Sequence, residues 1–240
     1  MANPVKIKCT VSSVIHHNDM VSTISLKPSR SLPNFQPGQF LHLALDDYDP
    51  AGGFWPESRV FSIASLPSAP EITIAYAVKG KFTRRMREEI ESGKELWVKL
   101  PYGHFTLSGN GENVVLIAGG TGITPFISFL LAEMNHPAPQ TIKLFYGVRK
   151  SELFLFKDIL ASFVDRLPDF QLYLFCEDGD SSDPNIVRGM LSLDAIYSRL
   201  PDPAATIFYL SGPAGMIDVF KKGLSGKGVQ PRNIHMDEWE

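Results

Sequence analysis

The chain has 240 residues, a formal net charge of −3, and 44% hydrophobic and 20% charged residues. That length suits two domains of about 100–150 residues each, and the composition excludes a disordered chain. The slight acidity offers no global basic field that would gather nucleic acid or an anionic membrane.

No apolar run reaches the roughly 18–20 residues that span a bilayer. The longest, Val114 to Leu131, is interrupted by glycines, threonines and Pro125. The start, Met1 to Lys6, lacks the basic and apolar regions of a signal peptide, so a cytoplasmic location is expected. Cys9 and Cys176 form no CxxC motif and are too few for the usual [2Fe–2S] cluster. The histidines (His16, His17, His42, His104, His136, His235) are scattered, and no metal is expected.

In chain order, residues 5–107 read as β-structure. Apolar and polar residues alternate over Val5–Val11, Val21–Leu26, Phe40–Leu45, Val60–Ala64 and Ile72–Val78, between proline and glycine turns. Their spacing predicts a small antiparallel barrel or sandwich. A helix is predicted over Thr83–Ser92, ending at Gly93.

The grammar then changes. The buried strand Val114–Ala118 leads into Gly119-Gly120-Thr121-Gly122 and an apolar helix, Pro125–Met134. The strands Ile142–Gly147, Phe170–Cys176, Thr206–Ser211 and Asn233–Met236 follow. They alternate with helices over Leu153–Arg166, Ser192–Arg199 and Gly215–Leu224. This alternation predicts a doubly wound parallel sheet. The polar joint Ser108–Glu112 divides the chain into expected domains 1–110 and 111–240.

Several turns suit phosphates. Gly119 to Gly122 sits between a strand and a helix, where glycine lets the backbone approach a ligand and the helix start offers free N–H groups. The same turn would also serve as a plain connection. Ser211-Gly212-Pro213-Ala214-Gly215-Met216 is a second strand-to-helix turn, placed to flank the same crevice. A third strand end carries Tyr146-Gly147-Val148-Arg149-Lys150, whose cations suit a ribose or 2′-phosphate or simply face solvent. In the first half, Arg59 and Phe61 of Arg59-Val60-Phe61-Ser62 share one sheet face: a cation for phosphate beside an aromatic for a flat ring. Lys79-Gly80-Lys81-Phe82-Thr83 leads from a strand into a helix start. The loop 46–58, with Gly52-Gly53-Phe54-Trp55, precedes the arginine motif and has no assigned role.

The order of these motifs resembles the ferredoxin–NADP⁺ reductase superfamily over almost the whole chain. Arg59-Val60-Phe61-Ser62 is similar to its Arg-x-Tyr-Ser motif, and Gly80 to Thr83 to its flavin-pyrophosphate segment. Pro101-Tyr102-Gly103-His104-Phe105 is similar to Pro-x-Gly-x-Phe. Gly119 to Pro125 is similar to Gly-Gly-Thr-Gly-Ile-Thr-Pro, and Ser211 to Met216 to Cys-Gly-Pro-x-x-Met. The resemblance implies an antiparallel flavin-binding β-barrel followed by an α/β nicotinamide-binding domain. It assigns FAD to Arg59, Val60, Phe61, Ser62, Val78, Gly80, Lys81, Phe82, Thr83 and Trp239. It assigns NADH or NADPH to Gly120, Thr121, Gly122, Tyr146, Gly147, Arg149, Gly212, Pro213 and Met216. Ser62, Ser211 and Glu238 are its catalytic candidates, with Ser62 near flavin N5 and Glu238 as a proton relay.

Three departures are visible. Phe61 stands in place of tyrosine, Ser211 in place of cysteine, and the stretch His235–Glu240 offers Trp239 as a candidate flavin shield and Glu238 as a candidate proton relay. The cysteine cluster that relatives with an iron–sulfur segment carry near the C-terminus is absent. The implied activity is hydride transfer from NAD(P)H to FAD, with electrons passed to a separate ferredoxin, oxygenase component or free flavin. An electron-transfer subunit of a larger complex, or a nucleotide-binding regulatory module that has lost the flavin, are the alternatives. Arg149 and Lys150 favour a 2′-phosphate while Glu152 opposes it, which tips the expectation slightly to NADH.

Overall fold

In the computed structural model, which describes residues 3–107, 113–137, 140–178 and 183–237, the chain divides into two units, Met1–Leu107 and Ser108–Glu240. The first is built on β1 (Val5–His16), β2 (Val21–Pro28), β3 (Phe40–Ala44), β4 (Ser58–Ser62), β5 (Ile72–Ala77) and β6 (Glu95–Tyr102), with α1 (Lys81–Glu89) between β5 and β6. The strands lie in the order β4-β3-β6-β1-β2-β5, every pair antiparallel. Just past β4, the Ala64 N–H donates to Thr73 O of β5 at 2.8 Å, so the two edge strands meet and the sheet nearly closes. Of the two expected forms, the unit takes the barrel.

Alternation explains the core. Ile7, Cys9 and Val11 of β1, Ile24 and Leu26 of β2, Leu41 and Leu43 of β3, and Ile72 and Ile74 of β5 all point inward, at 1% exposure or less. β6 lies outside the five predicted strands, yet it sits in the sheet between β3 and β1 and buries Leu96, Val98 and Leu100. Phe82, Met86 and Ile90 project from α1 and its end into the same core, at helical spacing.

The second unit contains β7 (Asn113–Gly119), α2 (Thr124–Asn135), β8 (Thr141–Val148), α3 (Lys157–Arg166), β9 (Phe170–Cys176), β10 (Ile186–Arg188), α4 (Leu193–Tyr197), β11 (Thr206–Ser211), α5 (Ala214–Gly226) and β12 (Ile234–Met236). The order β10-β9-β8-β7-β11-β12 is parallel throughout. From β7 the chain winds outward through β8 to β10, then returns to the other side of β7. The switch point therefore lies between the carboxyl ends of β7 and β11, where open α/β sheets bind ligands.

Two differences from the sequence reading have local causes. The helix expected from Leu153 is a 3-10 turn, Ser151–Leu153, followed by α3 from Lys157. Phe156 breaks the run in a left-handed conformation, and Phe154 and Leu155 are buried instead of continuing a helix. The short edge strand β10 was not expected at all.

Candidate functional site

In the first unit, a cation and a helix start come together. The Arg59 guanidinium on β4 lies 5.1 Å from the ring centroid of Phe82, in the first turn of α1. Arg59 is exposed, and its Nη2 donates to Glu57 Oε1 and its Nη1 to Ser58 O, both at 2.8 Å. The first turn of a helix favours acidic residues because its N–H groups carry partial positive charge. Here the turn contains no acid, and Lys79, Lys81 and Arg84, all exposed, crowd it with positive charge. An anion bound at this point would relieve a conflict that the protein does not resolve for itself.

Thr83 organises the turn. Its Oγ1 accepts the N–H groups of Lys79 and Gly80 at 2.9 and 3.1 Å and donates to Gly80 O at 3.2 Å. The hydroxyl expected to meet the ligand is engaged within its own turn. The N–H groups of Lys81, Phe82 and Thr83 are left without helical acceptors. Gly80 has extended dihedrals, and a Cβ there would have no neighbour within 4 Å. No backbone strain and no protein atom demands glycine at that position; a ligand lying against the backbone would.

Phe61 is 9% exposed, belongs to the barrel core and meets Tyr76 edge-on at 6.4 Å. The aromatic expected to lie against a flat ring packs here at the edge of the barrel core. Phe82 is likewise buried, and Val78 is buried with its N–H given to Met20 O at 2.7 Å. Val60 is half-buried and pairs with His42, while Ser62, at the end of β4, is 8% exposed and pairs with Phe40.

In the second unit the two glycine turns interlock. A Cβ on Gly122 would run into the Ser211 carbonyl, and one on Gly119 would come within 2.6 Å of Met216 Sδ. Gly212 approaches the Gly119 backbone in the same way. Gly122 and Gly212 are glycine because the turns after β7 and β11 pass too close together for side chains, while Gly119 lies under the Met216 and Pro213 side chains. Gly120 differs, with φ +54 and open space beside it. Thr121 is half-exposed, and its carbonyl accepts the Thr124 hydroxyl at 2.7 Å as α2 begins. Pro213 is exposed at the start of α5, and the half-exposed Met216 leans over Gly119.

Ser211 is 1% exposed, and its hydroxyl donates to Asp237 Oδ2 at 3.0 Å. Asp237 is itself 4% exposed and is tied in by its N–H to Leu210 O at 2.9 Å. Sequence reasoning missed Asp237. The pair arises from the β11–β12 register, Leu210 against Met236, which no local motif reveals. Glu238 and Trp239 lie outside the described residues.

Tyr146 is also corrected. It is fully buried, accepts the Leu155 N–H at 3.2 Å and donates to Leu153 O at 3.3 Å. Burial pushes its phenol well above the usual range. It has no surface for a ligand and acts as a brace. Gly147 is half-exposed, and Arg149 and Lys150 are exposed at the strand end. Among the described residues no group of three or more His, Cys, Asp and Glu could hold a metal ion, and no helix is long and apolar enough to cross a membrane.

Comparison with known proteins agrees with the fold of the two units. Residues 116–222 match the oxidoreductase NAD-binding domain. The glycine betaine monooxygenase reductase subunit of Chromohalobacter salexigens is 27% identical over 211 residues, covering 85% of this chain and 56% of that protein. The FAD/NAD-binding domain of nitric oxide dioxygenase from Vibrio cholerae superposes with a TM-score of 0.81 at 20% identity, covering 97% of this chain and 98% of that one. The ferredoxin–NADP⁺ reductase of Plasmodium falciparum gives 0.78 at 18% identity, covering 98% and 96%. The first curated relatives are longer proteins, of which the chain spans between 52% and 61%.

Proposed function

We propose that this chain, a member of the ferredoxin–NADP⁺ reductase superfamily, takes a hydride from NADH or NADPH onto FAD and delivers the electrons to a separate acceptor, an oxygenase component first among them. When bound, the flavin supplies the redox chemistry, accepting a hydride and releasing electrons singly or in pairs. The observation that carries the reading is the cation-crowded, acid-free first turn of α1 beside Arg59. Its three free N–H groups and the open cradle at Gly80 fit a diphosphate.

In this reading Arg59 and the backbone of Lys81 to Thr83 hold the flavin diphosphate, and Thr83 sets the turn. Ser62, at the end of β4, orients the ring's reactive edge. Gly120, Thr121 and Gly122 on one side, and Gly212, Pro213 and Met216 on the other, form the nicotinamide nucleotide site at the switch point. Arg149, exposed just past β8, is read as the partner of the adenosine ribose. Ser211, buried and fixed as a donor to Asp237, holds the β11 turn in place beside the nucleotide. The relative's role as a monooxygenase reductase subunit supports a protein acceptor.

The test is anaerobic. Protein reconstituted with FAD should bleach near the flavin band at about 450 nm when NADH or NADPH is added, and should recover its colour with ferricyanide. Protein that binds no flavin and oxidises neither nucleotide would refute the proposal.

A further inference from the structure

The flavin reading leaves one charged residue unused. Glu57 precedes β4, is exposed, and takes Arg59 Nη2 at 2.8 Å. With Nη1 on Ser58 O, both terminal nitrogens of the guanidinium are held by the chain's own loop. At the start of α1, Lys79, Lys81 and Arg84 are exposed, and the first turn has no acid. Glu57 is the carboxylate that the structure pairs with this cluster's arginine.

We infer that Glu57 is an internal competitor for the phosphate arginine, which weakens the hold on phosphorylated flavins and makes the flavin exchangeable. The inference rests on the reading of Arg59 as the flavin-phosphate ligand. A guanidinium binds a phosphate best through two parallel N–H bonds. Glu57 already holds one of the guanidinium's five N–H donors, and its carboxylate stays close to an incoming anion of the same sign. Each consequence weakens phosphate binding, and neither touches a flavin without phosphate. Phe61, buried in the barrel with no hydroxyl to offer, adds nothing to offset the loss. Glu57 thus sets affinity by ligand charge and leaves ring recognition alone.

The experiment titrates the full chain with FAD, FMN and riboflavin, following flavin fluorescence, for the wild type, Glu57→Gln, Arg59→Ala and the double variant. Glu57→Gln should lower the Kd for FAD and for FMN about threefold to tenfold at low ionic strength, and less at high salt. Riboflavin should shift by less than about twofold. In the Arg59→Ala background the Glu57→Gln gain should shrink, because competition for the arginine is gone and only the like-charge repulsion remains to be relieved. An unchanged Kd for FAD in Glu57→Gln, or an equal gain for riboflavin, overturns the inference while leaving the flavin reading standing. If Arg59→Ala binds FAD as tightly as the wild type, the assignment of Arg59 to the diphosphate fails, and the role of Glu57 fails with it. Glu57 is more than half exposed, so folding is not at stake; matching thermal melts confirm that.

Discussion

The two units both present glycine at a helix start, for opposite reasons. In the turn after β7, Gly122 is demanded by the protein itself, since a Cβ there would run into the Ser211 carbonyl at the tip of β11, while Gly119 lies under the Met216 and Pro213 side chains. At the start of α1, Gly80 is demanded by nothing in the chain: its dihedrals suit any residue and the space beside it is open. Glycine-rich turns are often taken together as ligand cradles, yet one is first a packing lock and the other has meaning only with a ligand in place. Substitution should therefore separate folding from binding in one unit and fuse them in the other.

The sharpest way to break this contrast is a pair of alanines. Gly122→Ala should cost about 3 kcal/mol or more, because the overpacked atom is backbone and cannot swing aside. Urea denaturation should show that loss, and nicotinamide nucleotide binding should disappear with it. Gly80→Ala should stay within about 1 kcal/mol of the wild type, the usual cost at a helix cap, while its FAD affinity falls. Equal stability losses in the two variants would remove the distinction.

A smaller effect probes the polar side of the β11 turn. Ser211→Ala deletes the donor to Asp237 Oδ2 in a buried setting. Flavin bleaching by NAD(P)H, followed by stopped flow, should slow about tenfold, the worth of one hydrogen bond at the reacting centre. Asp237→Asn should slow it less, since the amide oxygen still accepts. A rate unchanged by either variant would make the pair purely structural.

The smallest expected effect concerns how α1 is held. Arg85 Nη2 reaches Asp46 Oδ1, and its Nε reaches Glu89 Oε1, each at 2.7 Å. Hydrogen bonds from Arg85 hold both carboxyls below the usual carboxylate range. Groups with lowered folded pKa values stabilise above their unfolded pKa of about 4, and that stability is lost as pH falls through the lower folded values. Arg85→Met should lower the melting temperature by only about 2–4 °C at neutral pH, because the groups are largely solvated. The difference from wild type should shrink as the pH drops below about 4. A gap that persists in acid would mean lost packing rather than lost charge.

Much of the architecture was legible because periodicity reports burial. The alternation of Ile7, Cys9 and Val11, or of Ile72 and Ile74, marks strands with one buried face, and the continuous run Val114–Ala118 marks one buried on both. The same signal was present in Leu96, Val98 and Leu100, where a strand was not expected. β10 carried no such signal: an edge strand with two exposed residues of three offers no pattern. At the sites, sequence located the turns but misread several side chains. Tyr146 and Phe61 point where the sheet's pleat sends them, into the core, and Thr83 is consumed by its own helix start. Asp237 meets Ser211 across 26 positions, and Glu57 matters through where Arg59 turns, so both depend on folded geometry.

The bracing phenol of Tyr146 bears on how nucleotide preference could be re-engineered. Its oxygen bonds Leu153 O and the Leu155 N–H, while Arg149 O accepts the Asp178 N–H at 2.7 Å. The stretch carrying Arg149, Lys150 and Glu152 is therefore clamped at both ends, leaving its side chains exposed on a fixed frame. Changing which charges that frame displays should retune the choice between the two dinucleotides one residue at a time, as labels are exchanged on a rigid bracket, with no need to rebuild the loop.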